Sequence, residues 1–476
     1  MARAVPSEVG NGRTAGPPTT LVLRDRWEQM SPTEQTQYLE RRAAEGRWEH
    51  GRLEGWPANE EWQPMRPLVL DADGYRELGR IAHRILTLTV ETCLRRARTA
   101  GELGELLGDL RPHLWLDRAA ALNDTPLLRI ARPDVLLCDG VPQFVELNTA
   151  IALYGFPALD HMASAYAGLV PDRWSAPPST HRARTELLAG IAAGRPGGRL
   201  RVLVPTWASR VGPAGRLGTR EALRGYLRPT VEAVSALGLD VVEEDLSRLR
   251  TDSDGHLLAD GGPVDVVFNC FAGARATGAD DGVEAVRTAL AAGTVQLLLP
   301  EAMRMLNNKQ ALAWLHEDLD LLAPQDRALV EKYVPWTAWT GPRQPPAQRT
   351  ELLERALADR TDLVLKPAIG ANGTGVVFGA DVDDRTWHAL IGERAAKAAV
   401  VLQRRVDSDL VDMPFLAPAT GRQCDVRVPV VVGPFIVDGR ISGTLVRHFG
   451  PENPGAGRII NTRTGATVNT LVLTTP

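Results

Sequence analysis

The spacing of apolar and polar residues divides the chain into a helical front and a strand-rich remainder. Over 73–97, Leu78, Ile81, Ile85, Leu86 and Val90 recur at three- and four-residue steps, the period of an amphipathic helix. A second, shorter helix is expected over 101–110. Ahead of both, Ser31-Pro32-Thr33-Glu34 has the order of a helix start, with Ser31 as N-cap, Pro32 as first helical residue and Glu34 as reciprocal partner. That helix should run to residue 45. The aromatics of the tryptophan-rich, irregular stretch 47–64 are expected to pack on the core, the alternative being that they line a pocket.

From 198 to 299 the pattern alternates. Strands are predicted at 201–205, 239–244, 264–269 and 295–300, with helices over 220–237 and 283–292 and a small hairpin around Asp254-Gly255. Strand–helix–strand alternation implies a parallel sheet. Such sheets bind ligands at the carboxyl ends of their strands, which places Thr206, Ser209 and Arg210 near a ligand. A helix is expected over 303–322, with Asn307, Asn308 and Lys309 in its first half and an apolar stripe behind them. An aromatic patch (333–339), a proline-rich connector (341–348) and helices over 350–358 and 387–398 follow. Strands are predicted over 400–406, over 424–432 and 433–437 with a break at Gly433-Pro434, and up to Arg447. A loop rich in Gly, Pro and Asn and a last short strand close the chain.

Composition narrows the function. With 476 residues the chain has room for about three structural units, and 44% hydrophobic and 24% charged residues suit a soluble globular protein. A net charge of −4 argues against a nucleic-acid binder that relies on bulk charge. Cys93, Cys138, Cys270 and Cys424 lie far apart with no CxxC, which argues against a structural zinc site and suits a reducing compartment. Residues 1–20 lack an apolar signal core, and no apolar run reaches the ~18 residues of a membrane span. The expectation is a cytoplasmic protein with a disordered lead-in and no internal repeat.

Two stretches carry chemistry. Over 363–379, LVLKPAIGANGTGVVFG reads as strand, lysine, glycine-rich loop, strand. Gly370, Gly373 and Gly375 allow positive φ and close backbone approach, successive N–H groups form an anion site, and Lys366 adds a point charge for phosphate. The lysine precedes the glycines and a strand follows them, so this is not a P-loop; without support it would be a hairpin with a mobile tip. Over 127–157, strands at 134–138 and 143–147 flank an Asp139-Gly140 turn. Alternation puts Arg132 and Asp134 on one face, and Glu146 and Asn148 on one face. If the faces coincide, three oxygen-bearing side chains converge with an arginine, a donor set for a hard cation such as Mg²⁺. Otherwise the hairpin presents a solvated polar face.

Taken together these residues resemble the circularly ordered branch of the ATP-grasp enzymes: eukaryotic-type glutathione synthetase, glutathionylspermidine synthetase and their bacterial relatives. The likeness rests on Lys309, on Lys366 in VLKP, on the loop GANGTG (370–375), and on Arg132-Pro133-Asp134 followed, after eleven intervening residues, by Glu146-Leu147-Asn148. In most ATP-grasp chains the Glu-x-Asn segment follows the lysines; here it precedes them. The resemblance covers 127–157 and 299–473.

The resemblance implies an α/β architecture of the ATP-grasp kind, with mixed sheets, a helical N-terminal layer and a glycine-rich nucleotide loop. It divides the chain into a lead-in (1–24), a helical region (25–115), a metal-binding hairpin segment (116–197), an α/β substrate domain (198–300) and an ATP-binding domain (301–476). It implies that Lys309 and Lys366 bind the α/β-phosphates of ATP, and that backbone amides of Gly370, Ala371, Asn372, Gly373, Thr374 and Gly375 cover the β/γ-phosphates. Asp134, Glu146 and Asn148 would hold Mg²⁺, and Arg132 and Arg447 would bind a carboxylate or the transferring phosphoryl group. The adenosine side falls at Gln403, where relatives carry an acid at this position or the next. Gly370 replaces an acid or arginine, and His448-Phe449 follows Arg447 where relatives can have a lysine. Asp425 and Arg427 are candidates to compensate. The implied activity is an ATP-dependent carboxylate–amine ligase working through an acyl phosphate on small-molecule acids and amines (amino acids, short peptides or polyamines), with a homodimer possible. The alternatives are a degenerate nucleotide-binding scaffold or regulator, and phosphotransfer without amide formation.

Overall fold

A computed structural model describes residues 20–46, 61–109, 115–149, 156–206, 220–269, 280–370, 373–452, 459–461 and 464–475. The helical front forms where its caps direct. Ser31 and Glu34 close a capping box on the helix Pro32–Ala44, Asp71 caps Ala72–Arg96, and Thr99 with Glu102 closes a second box on Ala100–Leu106. Capping satisfies N–H groups that the first helical turn leaves without partners. The apolar stripe of Ala72–Arg96 is buried, and Leu78, Ile81 and Ile85 share one core with Phe144, Met413, Val430 and Val446 of the largest sheet. Leu23, assigned to the disordered lead-in, is instead buried, and its N–H donates to the Gly140 carbonyl at 2.8 Å. The Leu21 N–H also donates to the Tyr333 hydroxyl at 2.9 Å, so the segment is held at Leu21 as well as at Leu23. In the tryptophan-rich stretch, Trp62 is buried as expected, beneath the Arg422 guanidinium; its residues 47–60 lie outside the described residues.

The largest sheet is organised around one long strand, Arg422–Val437. Its first half pairs antiparallel with Leu410–Ala417; its second half pairs antiparallel with Arg440–His448 on one side and with Ile130–Ala131 and Asp134–Cys138 on the other. The break expected at Gly433-Pro434 is only a register shift between Pro434 and Ile436. A bulge accommodates the proline without ending the strand.

The alternating region folds as predicted into a parallel sheet, in the order Gln296–Leu297, Val266–Val267, Arg201–Thr206, Asp240–Asp245. Of the residues expected at its carboxyl end, Thr206 is fully buried, and Ser209 and Arg210 lie outside the described residues. A third sheet is antiparallel, in the order Thr337–Thr340, Val400–Arg404, Leu363–Pro367, Val377–Phe378. Helices Pro346–Ala358 and Asp384–Lys397 cover one of its faces through Leu352, Trp387 and Ile391. Trp314 and Ala311 of the helix Gln310–Glu317 pack with Trp339 of Thr337–Thr340.

The helix expected over 303–322 is broken into a 3-10 segment Glu301–Asn307, an α-helix Gln310–Glu317 and a 3-10 turn Leu319–Leu321. Asn308 is extended at the first break (φ −70°, ψ 120°). Its side chain donates to the Leu107 carbonyl at 2.9 Å and accepts from the Gln310 N–H at 3.0 Å, offering the backbone an alternative to the helix. Lys309 therefore stands at the N-cap, outside the helix.

Candidate active site

A β-bulge aligns the two halves of the hairpin. Asp139 and Gly140 both have positive φ (52° and 75°), and the Asp409 carboxylate accepts both of their N–H groups at 2.8 and 2.7 Å. The two-residue turn sets a ladder that stays regular as far as Val135 opposite Phe144. Continued, it would oppose Asp134 to Val145 and turn Glu146 to the other face. Instead the register shifts, Asp134 faces Glu146, and Val145 is the extra residue. Its carbonyl, outside the ladder, accepts from Lys366 Nζ at 3.2 Å. Beyond the bulge the Arg132 N–H donates to the Asn148 carbonyl at 2.6 Å, so Arg132, Asp134, Glu146 and Asn148 come together.

The large sheet brings Arg447 to Asp134. Arg447 is opposite Val431 and Val135 is opposite Val432, so the strand carrying Arg447 and the hairpin flank the same central strand. Arg447 Nη2 lies 2.7 Å from Asp134 Oδ1. The contact is a largely buried ion pair. Arg132 is buried with its guanidinium 5.7 Å from the Phe435 ring centroid. A Cβ at position 433 would meet Arg132 Cδ and the Leu445 carbonyl at 3.1 Å each, so Gly433 leaves the room that Arg132 occupies. Burial alone would raise the Asp134 carboxyl, but the charges of Arg447 and Arg132 outweigh it and hold the group below the ordinary carboxylate range. Burial also lowers the Arg132 guanidinium to about 10.

The two lysines reach the same place. Lys309 Nζ is 3.0 Å from Glu146 Oε1 and donates to the Gly370 carbonyl at 3.3 Å, while its backbone N–H donates to the Ala368 carbonyl at 2.9 Å. Lys366 Nζ also donates to Gln403 Oε1 at 2.6 Å, and Gln403 is oriented by its own donation to Thr337 Oγ1 at 3.0 Å. Burial pushes the Lys366 ammonium down to about 8; Lys309 adds to the fall, and Glu146 and Asp134 oppose it. Gln403, a neutral amide, adds no charge to oppose that fall.

The glycine loop springs from the end of Leu363–Pro367 and returns in Val377–Phe378. Gly373 and Gly375 have φ of +71° and +78°, which side chains rarely adopt. A Cβ on Gly373 would collide with Ile459, so the loop lies against the C-terminal segment. Thr374 is exposed; Ala371 and Asn372 lie outside the described residues.

The donor set fits a hard cation. Two carboxylates and an amide meet on neighbouring rungs, Asp134 facing Arg447 and Glu146 facing Lys309, with the Asn148 side chain beside Asp134. Exchanging the O and N of the Asn148 amide would present its oxygen instead. Asp425 and Arg427 are not brought here: both are exposed on the long strand, and Arg427 pairs with Asp412 at 3.2 Å. His448 supplies no cation, because burial pushes its imidazole down to about 4; its Nδ1 is 2.9 Å from the Phe449 carbonyl and its Nε2 is 3.2 Å from the Asn469 amide.

Sequence reasoning missed several supports. Asn307 Oδ1 accepts from the Thr149 N–H at 2.5 Å, and the Thr149 hydroxyl donates to the Met303 carbonyl at 2.7 Å, fixing the segment after Asn148. The threonine directly after Glu-x-Asn was the available signal. Nothing local marked Val145 or Thr337, and Gly433 was marked only as a strand break.

No family model and no curated protein matches this chain. Among solved structures, a glutathione synthetase-like effector from Globodera pallida overlaps it with a TM-score of 0.53 at 12% identity, covering 93% of this chain and 98% of the other. D-alanyl-alanine synthetase A from Vibrio cholerae overlaps with a TM-score of 0.29 at 14% identity over 58% of this chain and 89% of its own, too little to argue from. At these identities the first likeness speaks to fold alone, and the α/β architecture with mixed sheets and a helical N-terminal layer expected from the sequence is the architecture found.

Proposed function

We propose that the protein is an ATP-dependent carboxylate–amine ligase of the circularly ordered ATP-grasp type. The observation that carries the reading is the meeting of two lysines, two arginines, two carboxylates and an amide beside a glycine loop, with Nε of Arg132 and Nε of Arg447 buried and lacking hydrogen-bond partners among the described residues. Such a cluster costs stability unless a ligand satisfies it.

Lys309 and Lys366 bind phosphate oxygens of ATP, and the amides of 370–375 close over them. Asp134, Glu146 and Asn148 hold Mg²⁺, which supplies charge neutralisation for the phosphates when bound. Arg132 and Arg447 orient the substrate carboxylate bidentately. A carboxylate oxygen attacks the γ-phosphorus, the bond to the bridging oxygen breaks, and ADP leaves. An amine then attacks the acyl carbon, phosphate departs, and the amine proton goes to solvent. No side-chain nucleophile is needed; positioning and fixed charge do the catalysis. The closed loop keeps water from the acyl phosphate.

Gln403 in place of an acid favours a second reading, a nucleotide-binding protein without ligation. ADP release from Mg²⁺-ATP across pools of amino acids and amines separates the two. Release that needs both an acid and an amine and is lost in Glu146→Ala and Lys366→Ala is expected of the ligase. ATP-dependent stabilisation without release would identify the binding protein.

A further inference from the structure

A cavity of about 300 Å³ lies on the stem of the glycine loop. Leu106, Leu107, Trp339, Pro367 and Ile369 give it apolar walls. Arg343 and Lys397 also line it; both are exposed and neither has an ion-pair partner among the described residues. Gln310, 1% exposed, lines it too, and its Oε1 has no hydrogen-bond partner among the described residues. None of these side chains contributes to the cluster around Asp134.

We infer that this cavity is a second binding site, for a small amphipathic acid that also carries an N–H donor. Apolar walls and an indole take up an aliphatic or aromatic body, the pair of unpartnered cations takes a carboxylate, and a buried acceptor without a donor selects an N–H. An α-amino acid with a large apolar side chain, or its N-acyl form, has all three features. Pro367, Ala368 and Ile369 line the cavity and join Lys366 to Gly370, and Ala368 holds the backbone of Lys309. A ligand seated there acts on the position of both lysines, a consequence that rests on the proposed function, whereas the site itself does not.

The test is equilibrium binding of L-phenylalanine, L-tryptophan and N-acetyl-L-leucine to the full chain, by saturation-transfer NMR and calorimetry. Saturable binding is expected, undiminished in Lys366→Ala, weaker for L-phenylalaninamide, and at least tenfold weaker in the surface double variant Arg343→Ala/Lys397→Ala. Gln310→Leu should lower affinity as well, and the double variant decides the matter if that buried substitution impairs folding. Absence of saturable binding, or binding that survives the double substitution, overturns the site. With the acid bound, the Kd for ATP should change at least threefold in wild type; an unchanged Kd overturns the coupling, and loss of acid binding in Lys366→Ala would mean that the acids occupy the nucleotide site instead.

Discussion

At the scale of the residue, Lys366 sets the pH behaviour. Its ammonium titrates at about 8, below the ordinary 10.5, because burial and the neighbouring Lys309 charge outweigh the opposing pull of Glu146 and Asp134. ATP affinity should therefore fall as pH rises through about 8, where the lysine loses its charge, and Gln403→Glu should move that midpoint upward; binding isotherms from pH 6.5 to 9.5 check this. The sign for stability is opposite. Folding depresses this pKa, so the lysine's penalty is full below pH 8 and fades as pH rises toward 10.5. Gly433 is the second informative residue. In Gly433→Ala the new Cβ presses on Arg132 and on the Leu445 carbonyl, and overpacking of this kind costs roughly 1–3 kcal/mol. We expect a lowered melting temperature and a loss in kcat/KM larger than the loss in ATP affinity.

At the scale of the element, the break at Asn308 and the bulge at Val145 decide the site. Asn308→Ala strands the Leu107 carbonyl and the Gln310 N–H, and leaving buried partners unsatisfied costs about 1–3 kcal/mol. Because the same break fixes Lys309 at the N-cap, Asn308→Ala should also weaken ATP binding, read by calorimetry beside the change in denaturation midpoint. Asn307 and Asn308 were visible in the sequence beside Lys309, but an asparagine that ends a helix and one that sits in it look alike until its side chain finds a partner 201 positions away. The bulge was less legible still. Alternation grouped Arg132 with Asp134 and Glu146 with Asn148, but whether the two pairs shared a face depended on one extra residue in the ladder.

At the scale of the molecule, the site draws on the hairpin, the strand bearing Arg447, the Lys309 segment and the lysine–glycine sheet. A ligand that bridges them binds the folded state alone. ATP with Mg²⁺ at a hundred times its Kd should stabilise the whole chain by about 2.7 kcal/mol, with the shift lost in Lys366→Ala. Differential scanning fluorimetry with and without Mg²⁺ measures it. Metal is expected to be needed for the full shift, since Glu146 otherwise pairs with Lys309, the proposed phosphate ligand, and Asp134 with Arg447, the proposed carboxylate ligand.

Local patterns determined the capped front helices, the parallel sheet over 201–297 and the strand–lysine–glycine unit, because caps, apolar periods and glycine punctuation act over a few residues. They also marked Arg132, Asp134, Glu146, Asn148, Lys366 and the loop glycines, whereas Lys309, Gln403 and Arg447 came only from the resemblance. What the tertiary structure alone decided is how those residues meet. The register shift turned Glu146 toward Asp134, the long strand carried Arg447 to the hairpin, and Gln403 became the partner of Lys366. It also decided which candidates stayed away: Asp425 and Arg427 remained on the surface, and His448 was buried neutral. Pairing register and burial are settled by contacts between distant segments, and no window of sequence contains both partners.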